Sequence, residues 1–413
     1  MRGKILWIKE IKQLREKSAV NLRRRLTVFL LLLTLTMLTG VMFLLAVFGV
    51  FRLGYGETEK LFEKELYHLT ETAAAQYGGA SAQAVRMSER LSESIADTLK
   101  RAGFSFAELK YHPELLESLL EEQVSVMLSS LDATGCSGVF LALDTTVNPG
   151  ISGAENSKAG LYIRNTEPNF SGTGSETRLL LRGPSSLAVE GELNMQAEWD
   201  LEFGVKDRLF WSESAYAYTG YPALPLSRLV YWCCESPVPG LDEDVMICSV
   251  PLLSGGDEIL GVCGFEISEM NFMLRHAPES GEFFNTVFIF SSMAGDGLKL
   301  EDALYSGNIA VYSALPDSGI MRAEEKSGGF MIYNMPDGRS FAGMEKTIRL
   351  YPDDSPFAGE TFAASVVLPK ADLDAAGNAA RLRFVLILFV LMILGVFASV
   401  FLSKRYMKPI MDK

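Results

Sequence analysis

The chain has 413 residues, 48% of them hydrophobic, and a formal net charge of −13. That acidity excludes nucleic acid as a partner of the bulk of the chain, because phosphate contacts need a basic face. Three histidines and five cysteines, with no C-x-x-C among them, leave a zinc site unsupported, and neither metal nor cofactor is expected.

Residues 1–26 carry nine Lys and Arg against two Glu, a net of +7. Directly after them, 27–51 is an uncharged run rich in Leu, Phe, Val and Met. A bilayer core of about 30 Å takes roughly 20 helical residues, so this run reads as a first transmembrane helix. It is too long for the apolar core of a signal peptide and lies too far from the N-terminus. A second uncharged run, 384–402, precedes 403–413, where the net charge is +3. The middle of the chain therefore carries −23. Basic flanks stay inside, which puts both termini in the cytoplasm and 52–383 outside. The localisation expected is the cell membrane, with the basic N-terminal segment against anionic lipid.

From 57 to 131 the pattern is helical. Phe62, Leu66, Leu69 and Ala73, then Ala84, Met87, Leu91 and Ile95, form one apolar stripe. Gly78-Gly79 is a candidate kink. A second amphipathic stretch begins near Phe104. An unbroken helix of this length beside a span reads as a stalk, and its stripe suggests pairing in a homodimer, unless the chain buries it on its own sheet.

After Gly135 the texture turns to strands and Gly-, Ser- and Asn-rich loops, notably at 149–157 and 168–175. Strands are expected at 138–143, 160–163, 179–181 and 229–232. The strongest local signal is 245–267, two β-rich runs around Ser254-Gly255-Gly256-Asp257, a hairpin. A turn centred on Gly255-Gly256 sets Cys248 opposite Cys263 on an apolar face with Met246, Val250, Leu252, Ile259, Phe265 and Ile267. Ser249, Val262, Gly264 and Glu266 share the other, mixed face, which is the one to touch ligand or solvent. Small Gly264 leaves room beside Glu266. A further set of strands, at 286–290, 330–333, 340–345 and 361–368, has Met335-Pro336-Asp337-Gly338 as a turn. Fold class is α+β: a long N-terminal helix and two PAS-like antiparallel modules, 132–280 membrane-distal and 281–370 membrane-proximal, bracketed by two transmembrane helices.

In this arrangement the chain resembles the double Cache sensor family of bacterial receptors. The resemblance rests on "DVMICSVPLLSGGDEILGVCGFEIS" at 244–268, similar to that family's closing hairpin, and on "TFAASVVLPKADL" at 361–373, similar to its last strand. The tail "SKRYMKPIMDK" resembles the onset of a HAMP linker, with the output module fused or separate. The resemblance implies an extracellular domain that binds a small ligand and signals through the second span. Family members that bind amino acids use Arg-x-Trp-Tyr, further aromatics and a strand Asp. Arg208-Leu209-Phe210-Trp211, Tyr231-Trp232 and Glu266 stand at comparable places, with Phe for Trp, Trp for Tyr and Glu for Asp. Guanidinium clamps a carboxylate and a carboxylate meets an ammonium. A ligand site of Arg208, Trp211, Tyr231, Trp232 and Glu266 follows, for an amino acid, a carboxylate or an amine.

Enzymatic work is not expected. No phosphate loop, H-E-x-x-H or G-x-S-x-G occurs, and the 37 residues assigned to the cytoplasm are too few for a kinase or cyclase. The competing reading is an ectodomain that binds a partner protein without a small ligand.

Overall fold

The long helix forms as its stripe predicts. In the computed structural model α1 (Leu53–Ala102) runs for 50 residues, about 75 Å at 1.5 Å per residue. It passes straight through Gly78 and Gly79, whose Cα positions face open space. The structure describes residues 24–25, 27–41, 53–166, 178–190, 193–236, 245–255, 258–278, 285–327, 329–335 and 337–411. The first 23 residues, the outer part of the first apolar run, the 168–175 loop, Gly256-Asp257, Pro336 and the last two residues lie outside these.

The chain divides into two units, Met1–Lys60 with Ala371–Lys413, and Leu61–Lys370. In the first unit, 27–41 and α5 (Lys370–Met411) are helical. Most side chains described within the apolar runs are exposed, Phe29 at 62% and Phe397 at 70% among them. Thr34 Oγ1 and Ser399 Oγ approach to 3.3 Å. Among the described residues no helix is long and apolar enough to cross a membrane.

Besides the helices α2 (Pro113–Asp132), α3 (Leu209–Gly220) and α4 (Glu269–Arg275), the second unit holds two sheets. In the first the strand order is β4-β3-β2-β1-β8-β7-β6, with β5 on β2. Its strands are β1 (Gly138–Leu143), β2 (Ser157–Asn165), β3 (Arg178–Arg182), β4 (Asn194–Asp200), β5 (Glu202–Gly204), β6 (Tyr231–Cys234), β7 (Val245–Leu253) and β8 (Ile259–Ser268). All pairings are antiparallel except β3 with β4. The second sheet centres on β9 (Val287–Ala294), β14 (Phe330–Asn334), β15 (Ser340–Ile348) and β16 (Phe362–Pro369), with short strands β10 to β13 (Gly297–Lys299, Leu304–Gly307, Ile320–Met321, Glu325–Ser327) around them. The α+β class with a long helix and two antiparallel modules is what the sequence predicts.

α1 packs on both sheets. Phe62 meets Phe330 edge to face at 5.4 Å, and Tyr77 lies 4.6 Å from Phe290 and 4.9 Å from Trp232. Further along, Ser88 Oγ donates to Pro251 O at 2.7 Å. Every stripe residue from Phe62 to Leu99 is buried in this core. The stripe is therefore used up within the chain, and the dimer expectation loses the observation that motivated it.

The second sheet also clasps the edge of the first. The Tyr351 hydroxyl accepts from Trp232 N at 3.0 Å and donates to Trp232 O at 3.2 Å. Ser355 Oγ donates to Arg228 O at 2.9 Å, and Tyr231 packs on Phe357 at 4.7 Å.

The β7–β8 hairpin is present, but its register is not the expected one. Cys248 lies opposite Phe265, and Cys263 opposite Val250. The loop is longer by one residue, closed by Ser254 N to Glu258 O at 2.8 Å. A bulge between Leu252 and Leu253 adds another. The total slip is two residues, and a strand's side chains alternate with period two, so the faces survive beyond the bulge. Ile259, before the bulge, pairs with Leu253 and changes face. Cys248 and Cys263 are diagonal neighbours, and both are free thiols.

Candidate functional site

The faces of the first sheet divide its chemistry. Cys248 and Trp232 pair across β7 and β6 and point to α1, where Trp232 Nε1 donates to Ser81 Oγ at 2.9 Å. Glu266 points the other way. Register places Gly138 beside it on β1, Arg164 beyond on β2, and Ile247 on β7. Ser249 and Tyr231 pair on the same face. Covering that face is α3 (Leu209–Gly220), packed on β6, β7 and β8.

Four buried aromatic rings pack together where α3 covers the sheet. Phe140 is 5.5 Å from Phe210 and 6.5 Å from Tyr162, and Phe203 is 6.3 Å from Tyr162. Among them Glu266 is fully buried. Arg164 Nε lies 2.8 Å from Glu266 Oε1, with the Arg164 side chain 12% exposed. Neither carboxylate oxygen receives an aligned hydrogen bond, and the hydroxyls of Tyr162, Ser214 and Ser249 also lack partners. Ser214 is buried one turn after Phe210 on α3, so it faces the sheet. Burial pushes the Glu266 carboxyl up, to about 8. Such groups in a native interior call for a partner, since each unsatisfied polar atom costs about 1–3 kcal/mol.

The other expected residues scatter. Arg208 sits at the N-cap of α3 and pairs with Glu235 at 3.3 Å. The Glu235 carboxylate also accepts from Leu209 N at 2.7 Å and Phe210 N at 3.3 Å, so the pair caps the helix. Trp211 is half-buried, its ring 5.2 Å below Lys158 Nζ. Trp232 is held in the α1 core on the opposite face. Tyr231 shares the Glu266 face but spends its ring on Phe357. Glu266 is not solvent-facing as expected. Gly264 does not open space beside it either: a Cβ there would lie 1.7 Å from Cys248 O. The close neighbour is Gly138: a Cβ there would lie 3.2 Å from Glu266 Oε2 and 3.1 Å from the Tyr162 ring, so those two side chains fill the place a larger residue would take.

The sequence reading did not include Arg164, Tyr162 or Ser214. Alternation along the strand expected at 160–163 carries a signal for the first two, since it puts Tyr162 and Arg164 on one face.

No family model matches the chain, and no curated protein matches it. Solved structures do resemble it. The periplasmic sensory domain of the Campylobacter jejuni chemoreceptor Tlp1 is similar at 13% identity and TM-score 0.43, over 78% of this chain and 98% of that one. The ligand-binding domain of the Pseudomonas aeruginosa amino acid chemoreceptor PctB, in complex with L-arginine, is similar at 14% identity and TM-score 0.35, over 75% and 96%. That of the Pseudomonas fluorescens chemoreceptor CtaA, in complex with L-serine, is similar at 12% identity and TM-score 0.35, over 74% and 96%. All three are sensory or ligand-binding domains of chemoreceptors.

Proposed function

We propose that this chain is a membrane receptor of the double Cache type, with an outside domain that binds a small amine-bearing molecule, an amino acid foremost. The observation that carries this is the buried Glu266 carboxylate beside Arg164, with the partnerless hydroxyls of Tyr162, Ser214 and Ser249 on the same covered face. A zwitterion suits that pair. Its ammonium replaces the guanidinium at Glu266, its carboxylate takes Arg164, and the hydroxyls gain partners. The two uncharged runs, their exposed apolar side chains and the basic flanks support two spans with both ends inside. On this reading the chain does no chemistry itself and passes a conformational signal to an output module, fused or separate.

Calorimetry on the full chain in detergent micelles, with the L-amino acids as probes, tests the site. Glu266→Gln should weaken an amino acid that binds the wild type by about tenfold or more, the effect of losing a charge-assisted hydrogen bond. Should that variant misfold, Tyr162→Phe serves, since it removes only a hydroxyl that has no partner in the free protein. Unchanged affinity in both variants would show that the ligand sits elsewhere.

A further inference from the structure

The first sheet carries a second concavity, at the end where β1 leaves and β2 enters, built from none of the residues around Glu266. It is a cleft of about 320 Å³ between the 3-10 turn Phe106–Tyr111, the β1–β2 connection and the start of β8. Its volume falls at the small end of ligand pockets, which run from about 300 to 1,000 Å³. Phe106, Pro149 and Ile259 supply the apolar part of a mostly polar lining. Ile259 reaches it because the bulge turns that residue away from the α1 face.

The rim carries both signs of charge. Lys158 and Asp144 form an ion pair, and Trp211 braces the lysine from behind. Lys110 is exposed, its Nζ resting 5.0 Å over the Tyr111 ring. Glu155 and Glu258 are exposed. Thr145 lines the cleft, is 6% exposed, and its buried hydroxyl has no partner. The contrast with its neighbour is informative: Thr146 Oγ1 donates to Glu202 Oε1 at 2.6 Å. Of the two threonines that line the cleft, the buried one keeps a hydroxyl without a partner.

We propose that this cleft is a second small-molecule site, taking a zwitterion of amino-acid to dipeptide size. The carboxylate lies toward Lys110, the ammonium toward Glu155 and Glu258, and a polar atom of the ligand meets the Thr145 hydroxyl. A simple anion would face two carboxylates, and a simple cation would face Lys110. A molecule bearing both charges leaves neither sign uncompensated.

The test is calorimetry on the full chain in detergent micelles, with L-alanyl-L-alanine and its N-acetyl and C-amide forms as probes. The free dipeptide should bind, and each blocked form should bind about fivefold more weakly or worse. Thr145→Val should weaken binding by a similar factor while the melting temperature holds or rises, because no folded-state partner is lost. Lys110→Ala, at an exposed position, should weaken it too if Thr145→Val fails to fold. Glu266→Gln should leave this binding unchanged. Equal binding of the blocked forms, indifference to both Lys110→Ala and Thr145→Val, or no binding at about 10 mM overturns the assignment. Loss of the heat in Glu266→Gln alone puts the dipeptide in the other site and also overturns it.

Discussion

Single side chains decide much of the polar interior. His276 is 4% exposed, with Nδ1 3.1 Å from Thr72 Oγ1 and Nε2 2.9 Å from Gln76 Oε1. Burial first, then Arg275 and His68, lower its pKa from 6.5 to about 4. A depressed imidazole favours the folded state only while neutral. Its contribution is complete above pH 6.5 and is lost as pH falls toward 4, where the unfolded chain binds the proton more tightly. Wild-type urea midpoints should therefore drop across that window, and His276→Gln should flatten part of the drop. An identical pH profile in the variant would remove His276 from the acid response. At this scale the sequence reveals which face a strand residue takes, as for Glu266, but not how deeply it is buried. Burial depends on α3 lying over the sheet, and no local pattern carries that.

Elements were legible where periodicity was strong. The stripe from Phe62 to Ile95, the strand Gly138–Leu143 and the four main strands of the second sheet all lie close to where the sequence puts them. α3 was not, because its sequence, LFWSESAYAYTG, has apolar residues all round and its cap comes from Glu235. A helix stabilised by a residue 26 positions away leaves no local signature. The hairpin register failed for a related reason: turn residues fix a turn's presence, whereas the bulge reflects how β8 fits β1 and β7. Gly264 shows how tight that fit is. Its added Cβ would strike a main-chain carbonyl, which cannot rotate aside. Gly264→Ala should destabilise the protein by about 3 kcal/mol, the upper end for overpacking, read as a lower urea midpoint. A shift under about 0.5 kcal/mol, the size of an ordinary surface change, would mean that the two strands sit further apart.

For the whole molecule, charge and hydropathy were the informative signals, and they lead to the topology proposed above. Alkaline phosphatase fused at Gly153 should be active and a fusion at Lys413 inactive; the opposite pair of results would invert that topology. The two sheets themselves are bound by more than a shared helix. β6 ends its sheet, and such a border normally invites a foreign strand. Here one phenol, Tyr351, fills both main-chain valences of Trp232. It behaves as a strand one residue long, lent by the neighbouring module. A half-molecule cut between the modules would have a raw seam open to any passing chain, its own siblings first. Solubility of the first sheet is thus a property of the pair, and the second module acts as its chaperone for as long as the two stay joined.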